Sequence, residues 1–447
     1  MSFTRYPDYK DSGVEWLSSI PRFWGFKRIN MIASLNDDAL PETTDGEQEI
    51  TYVDIGSVSL SAGVEKFEVF TFKDAPSRAR RKVKDGDVII STVRTYLKAI
   101  APIVNPPENL VVSTGFAVLR AKSDVKSIFT KYALQSNGFL DEIISRSTGV
   151  SYPAINASEI GFIKIPVPSL PEQTQIANFL DQETTKIDAL VAEQQKLIEL
   201  LKEKRQAVIS NAVTKGLNPK VEMKDSGLEW LGEVPDHWDV ERIRRFVKLN
   251  PSKSELGILD KTTEVSFLPM EAIGEEGTLS LEKTKPLSEV ETGYTYFREG
   301  DVTVAKITPC FENGKGAVMK GLHNGFGFGT TELIVARPTE GKVIANFLYR
   351  LFSSSHFRKN AEGSMYGAGG QKRVPDDFIR EFQTGLPPIN EQIEIAEFLD
   401  YETVMFESLI KEATSVITLL NERRSALITA AVTGQIDVRN YQPKEVA

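Results

Sequence analysis

Apolar residues fall on two heptad lines between positions 180 and 212. Leu180, Ile187, Gln194, Leu201 and Val208 form one line, and Thr184, Val191, Ile198, Arg205 and Ala212 form the other, four residues on. Shifting both lines by 219 positions gives Leu399, Phe406, Ala413, Leu420 and Leu427 with Thr403, Ile410, Ile417, Arg424 and Ala431. A period of seven keeps a stripe on one helix face, where its residues pack as knobs into a partner helix. The pattern therefore predicts two helices of about 40 residues, each roughly 60 Å long. With a globular unit between them, they are expected to pair antiparallel; outer helices of ordinary domains seldom need this length. Ser169-x-x-Glu172 fits a capping box at the first start, and Asn390 can cap the second. Gly216 and Gly434 lie just past the last apolar turns, where a left-handed residue ends a helix.

Upstream of each helical stripe the period shortens. Residues 50–55, 64–72, 87–93, 97–104 and 111–120 read as β-rich, 127–145 as a helix, and 160–166 as a closing strand. In the second half, 263–270, 302–308, 316–320 and 331–337 read as strands, with a helix over 343–360. Gly325-Phe-Gly-Phe-Gly329 precedes a strand, whereas a phosphate-cradling loop would follow one, so it reads as a turn.

The two halves also share wording. Lys10-Asp-Ser-Gly-Val-Glu-Trp-Leu17 returns as Lys224-Asp-Ser-Gly-Leu-Glu-Trp-Leu231, and Pro171-Glu-Gln-Thr-Gln-Ile-Ala-Asn-Phe-Leu-Asp181 as Asn390-Glu-Gln-Ile-Glu-Ile-Ala-Glu-Phe-Leu-Asp400. Asp85-Gly86-Asp87 answers Glu299-Gly300-Asp301. The residues after this turn diverge: Ser91-Thr-Val-Arg94-Thr-Tyr96-Leu-Lys98 against Ala305-Lys306-Ile-Thr308-Pro-Cys-Phe-Glu-Asn313-Gly-Lys315. A constant frame with changed polar content suits two reading heads; neutral drift after duplication would look alike.

Composition narrows the class. Of 447 residues, 41% are apolar and 26% charged, ample for packed cores. No run of 18 apolar residues and no signal-like start occur, so no membrane is expected and the cytoplasm is the expected location. The single cysteine, Cys310, excludes an internal disulfide and a cysteine-based metal cluster. A net charge of −9 argues against indiscriminate nucleic-acid binding, yet its distribution is uneven. Acids crowd the first stripe, whereas Arg78, Arg80, Arg81, Lys82 and Lys84 cluster in one run and Arg242, Arg244, Arg245 and Lys248 in another. Acidic helices with basic heads would steer a polyanion to the heads. Solvated surface is the plain alternative for each cluster.

These features together resemble the specificity subunit of type I DNA restriction–modification enzymes, over essentially the whole chain. The resemblance rests on the paired openings Lys10 to Trp24 and Lys224 to Trp238, and on Ser147-Thr-Gly149-Val-Ser151-Tyr-Pro153-Ala-Ile155 running into Ile165-Pro-Val-Pro-Ser-Leu-Pro-Glu-Gln173. The helix ends Ala212-Val-Thr-Lys-Gly216 and Ala431-Val-Thr-Gly434 complete it. The second half departs from it at one loop, with Gly369-Gly-Gln371-Lys372-Arg373-Val-Pro375 where the first has Thr148-Gly-Val-Ser-Tyr-Pro153.

The resemblance implies an α+β fold with two pseudo-repeated target-recognition domains, mixed and β-rich, joined by two long antiparallel coiled-coil helices. The expected boundaries are 1–168 and 217–386 for the domains, 169–216 and 387–435 for the helices, and 436–447 for a tail. It implies that each domain reads half of a split, asymmetric site in double-stranded DNA, with the helices fixing the gap. Two adenine methyltransferase subunits and restriction–translocase subunits are the implied partners; S-adenosylmethionine, ATP and Mg would sit on those partners, with no cofactor on this chain. Candidate phosphate contacts are Arg78, Arg80, Arg81 and Lys82, with Thr92, Arg94, Tyr96 and Lys98 for the groove. In the second half the candidates are Lys306, Thr308, Asn313 and Lys315, with Gln371, Lys372 and Arg373 near the backbone.

Catalysis by the chain itself finds little support. Asn105-Pro-Pro-Glu108 lacks the aromatic that an adenine methyltransferase stacks on a flipped base. Pro375-Asp376 with Glu381-Phe-Gln383 lacks the lysine of a nuclease metal site. His237, His323 and His356 are scattered, which gives no ligand set and no triad. A stand-alone two-headed DNA-binding scaffold or regulator is the alternative.

Overall fold

The computed structural model describes residues 4–368 and 370–441; Gly369 of the diverged loop and residues 442–447 of the expected tail lie outside the described residues. Contacts divide the chain into two compact units, one holding the chain up to Gln195 together with the stretch from Thr414, the other Lys196–Ala413. Each unit contains one head and part of both long helices, Leu170–Lys215 and Ile389–Val432.

Within the first unit, the start of the first long helix lies beside the end of the second, with Arg424 Nε donating to Asp188 at 2.9 Å. Within the second unit the reverse ends meet: Arg205 faces Glu407, and Gly216 lies against Glu391. The helices are thus antiparallel, and their seam residues are buried or half-buried as the heptads require. Gly216 and Gly434, at φ +73° and +72°, end the helices in the left-handed conformation. Asn390 lies one residue inside the second helix rather than at its cap, because the helical turn already begins at Ile389. Glu172 accepts the Tyr6 hydroxyl at 2.8 Å, which ties the N-terminal segment to the first helix.

Both heads use one topology. In the first, an antiparallel sheet orders Ile100–Pro102, Val88–Ser91, Phe116–Ala121 and Ala33–Leu35, and a second sheet orders Glu68–Thr71, Glu49–Val53, Leu110–Ser113 and Ala79–Lys82. In the second head the corresponding orders are Gly316–Val318, Val302–Ala305, Leu333–Pro338, Val247–Leu249 and Thr284–Pro286, Glu264–Leu268, Phe326–Gly329, Thr295–Arg298. Each second sheet has one parallel pair, Glu49–Val53 with Leu110–Ser113 and Glu264–Leu268 with Phe326–Gly329. The repeated acidic turn has the same task in both heads. Buried Asp87 accepts the Lys84 N–H and a two-point contact from Arg120, and buried Asp301 accepts the Arg298 N–H and the same contact from Arg337.

Several elements differ from the sequence expectation. Residues 111–120 form two strands in different sheets, because the Thr114–Gly115 turn breaks the run. The helices expected over 127–145 and 343–360 each split in two, as Ser127–Ala133 with Asn137–Arg146 and as Ala345–Ser353 with Ser355–Ser364. Ser136 and Ser354 stand in extended backbone at the breaks. Gly325-Phe-Gly-Phe-Gly329, read as a turn, is the buried central strand Phe326–Gly329. Its alternating pattern puts Phe328 in the core, while a Cβ at Gly327 would collide with the Phe297 ring. The basic run forms the edge strand Ala79–Lys82, paired with Leu110–Ser113.

Two glutamines of the repeated Glu-Gln phrase are wholly buried. Gln173 accepts the Lys126 N–H and donates to the Pro168 carbonyl; Gln392 accepts the Ile344 N–H and donates to the Lys342 and Pro387 carbonyls. Gln173 thereby stitches the start of Ser127–Ala133, and Gln392 the start of Ala345–Ser353, to the base of its long helix.

Candidate nucleic-acid interface

Three candidate residues of the first head, Arg78, Arg81 and Thr92, meet at the turn between Leu110–Ser113 and Phe116–Ala121. Arg81 reaches the Thr114 carbonyl at 3.4 Å, the Arg78 carbonyl accepts the Thr114 N–H, and Thr92 donates through both its N–H and its hydroxyl to the Gly115 carbonyl at 2.8 Å. The basic strand and the segment after Val88–Ser91 therefore meet at one end of the head. From Thr92 the chain enters a tight loop. Arg94 and Lys98 stand at φ +50° and +51° around the 3-10 turn Thr95–Leu97, a conformation that costs non-glycine residues free energy and concentrates at functional positions. Tyr96 is exposed, and Lys98 Nζ pairs with Asp141 at 3.1 Å.

The basic strand's charges are partly committed within the protein. Arg78 bonds the Tyr52 hydroxyl and pairs with Asp54 at 2.8 Å, contacts that raise its pKa. Arg80 stacks over Phe72 with 4.4 Å to the ring centre, and Lys82 stands 3.7 Å from Asp38. Burial lowers the pKa of Arg81. The Arg78 and Lys82 side chains keep about half their surface open, at 57% and 43%, so both remain available to a phosphate.

In the second head the frame is the same and the chemistry is not. The Lys306 N–H donates to the Glu332 carbonyl, as Thr92 does to Gly115, and Val374 N–H to the Lys306 carbonyl, as Ile155 does to Thr92. Thr308 bonds Glu312, and Lys315 donates to the Met270 carbonyl at 3.0 Å. Arg373 makes a two-point contact with Glu332 at 2.7 and 2.9 Å, so its guanidinium braces the loop. Gln371 and Lys372 are exposed. Asn313 borders a cavity of about 100 Å³ shared with Arg205, Glu276, Tyr349 and Arg358, and Arg358 lies against Gly314 of the same loop.

The diverged loops are structural equivalents. Thr148 bridges Ala154, which bridges Val93; Tyr366 bridges Arg373, which bridges Ile307. Gly149 and Gly367, at φ +111° and +134°, make the same bend. The Thr-Gly-Val-Ser-Tyr-Pro run of the first loop carries exposed Val150 and Tyr152, and Arg94 lies over the Tyr152 ring. On the corresponding edge strand the second head carries Thr295-Tyr-Phe-Arg298, so the basic run has no duplicate.

Among the described residues no group of His, Cys, Asp and Glu could hold a metal ion, and no helix is long and apolar enough to cross a membrane.

Comparison with known proteins agrees with the repeat. The family model described as "Type I restriction modification DNA specificity domain" matches residues 21–200 and again 235–414. The EcoAI specificity subunit of Escherichia coli is 42% identical over 161 residues, 36% of this chain and 27% of that protein. The EcoKI specificity subunit of Escherichia coli (strain K12) is 24% identical over 327 residues, 71% of this chain and 68% of that protein. A solved structure from work on complex assembly and conformational transition of the type I R-M system superposes with a TM-score of 0.64, covering 93% of this chain and 99% of that one at 19% identity, a likeness of fold. Because the family match recurs once in each half, in step with the doubled sheets and long helices, this chain belongs to the type I restriction modification DNA specificity domain family.

Proposed function

We propose that this chain is the DNA-recognition subunit of a type I restriction–modification complex. It reads a split, asymmetric site in double-stranded DNA, one half with each head, and does no chemistry itself. Two adenine methyltransferase subunits and the restriction–translocase subunits dock with it, and S-adenosylmethionine, ATP and Mg act on those partners. One observation carries this reading: two heads of one topology present equivalent loops, held by equivalent backbone bonds, with different side chains. That arrangement keeps position constant while base-edge chemistry varies, as two half-sites demand. The phosphate role falls to Arg78, Arg80, Arg81 and Lys82. The groove role falls to Thr92, Arg94, Tyr96 and Lys98 in the first head and to Lys306, Thr308 and Asn313 in the second, with Gln371 and Lys372 near the backbone. Lys315 and Arg373 hold the second loop in place through Met270 and Glu332.

The test is modified-base sequencing of DNA from cells carrying an adenine methyltransferase partner, with and without this chain. Methyladenine in a split asymmetric motif, present only with the chain, is the expected result. Unchanged methylation beside an expressed and active partner would replace this reading with a stand-alone DNA-binding scaffold.

A further inference from the structure

The end of the first head that carries Arg94 also carries a fixed apolar ridge. Val150 is fully exposed, and Tyr96, Leu97 and Tyr152 are each more than half exposed. Single apolar residues are ordinary on a surface; here four stand exposed on two loops that the Ile155–Thr92 bond joins. The two loops are tied together at their bases. Thr148 and Ala154 exchange two N–H···O bonds at 2.9 Å, the Ile155 N–H bonds the Thr92 carbonyl, and the Thr95 and Ser147 hydroxyls meet at 2.7 Å. Gly149 permits the bend, since a Cβ there would stand 3.1 Å from the Tyr152 carbonyl oxygen. Tyr152, before Pro153, is confined to extended backbone. The Arg94 guanidinium lies over the Tyr152 ring, 4.7 Å from its centre.

We infer that the Gly149–Pro153 tip is a wedge that enters a base step of the half-site read by the first head. Val150 inserts between bases, Tyr152 covers the opened face, and Arg94 remains at the groove edge. Apolar side chains act this way where proteins kink a duplex from the minor groove. The occupant follows from the surroundings: Arg78 and Arg81 meet the same end of the head through the Thr114 turn, which suits a polyanion rather than an apolar protein face. The wedge adds selectivity without hydrogen bonds, since pyrimidine–purine steps unstack most readily. The equivalent tip of the second head ends in the exposed polar pair Gln371 and Lys372.

The inference rests on the DNA-reading function proposed above. Its test uses the chain in complex with its methyltransferase partner and duplexes of the methylated motif carrying 2-aminopurine at successive positions other than the target adenines, which a methyltransferase flips by itself. Fluorescence is expected to rise on binding at one step of one half-site, to stay low there in Val150→Ser, and to rise again in the control Tyr152→Phe. Tyr152→Ala should weaken binding between about 5-fold and about 150-fold, the loss of one aromatic–base stack. A bound duplex dark at every position, or an undiminished rise in Val150→Ser, overturns the wedge and leaves DNA reading intact. A complex that fails to bind the duplex overturns the DNA-reading function, and the wedge with it.

Discussion

Replacing Gln392 by leucine tests how the second head is fastened to its long helix. The side chain is fully buried and serves three backbone groups: the Ile344 N–H at 2.9 Å and the Lys342 and Pro387 carbonyls at 2.9 and 2.8 Å. Leucine fills similar space and satisfies none of them. An unsatisfied buried polar group costs about 1–3 kcal/mol, and a carbonyl with a second lone pair free costs toward the lower end. The expected destabilisation is roughly 2–5 kcal/mol. In a domain of about 200 residues each kcal/mol moves Tm by about 2–4 °C, which gives a fall of about 4–20 °C. Gln173→Leu, with the Lys126 N–H and Pro168 carbonyl as its partners, should lower the transition of the first unit in the same manner. Scanning calorimetry of the full chain reads both variants. A shift under about 2 °C in each would show that water or backbone adjustment replaces these bonds, and that the glutamines are not the fastening.

Two further outcomes follow from the charge arrangement. Glu407 is held above the ordinary glutamate range by its hydrogen bond with Glu276 and by burial; Glu276, which burial pushes up, is brought below that range by the same bond and by Arg205. A raised folded pKa contributes stability at acidic pH that is lost as pH rises through it, and a lowered one contributes stability lost as pH falls through it. The Glu276 contribution is complete above the ordinary glutamate range, so there Glu407 alone sets the sign. The second unit should weaken in urea as pH rises from that range to neutral, and Glu407→Gln, which keeps a donor at every pH, should flatten that decline; an identical decline in the variant would contradict this account. For the first head, the combined Arg78→Ala, Arg80→Ala and Arg81→Ala variant should reduce the slope of log affinity against log salt by about 0.9 for each phosphate no longer neutralised. An unaltered slope in DNA titrations would place this strand away from the duplex.

The duplication, the two long antiparallel helices and the frame of each head are legible in the order of residues alone. Heptad lines are local, and seven-residue spacing admits one face whatever the rest of the chain does, so Leu180 and Leu399 are assigned to a seam directly. Left-handed ends at Gly216 and Gly434 are equally legible, because glycine alone enters that conformation cheaply. Packing settles what local pattern leaves open. Phe326–Gly329 looks like a turn in isolation and is a central strand of its sheet, with the Phe297 ring packed where a Cβ at Gly327 would stand. The basic run is an edge strand whose charges are divided among Tyr52, Asp54, Phe72 and Asp38, partners 8 to 44 positions away in sequence. Thr92, Arg94, Tyr96 and Lys98 stand out as a group from their divergence between the halves. That Val150 and Tyr152 stand beside them depends on the Val93–Ala154 bridge, which joins segments some sixty residues apart. Periodicity fixes which face of an element is buried; which two loops share an end of the head is fixed by sheet order, and that no local stretch of sequence contains.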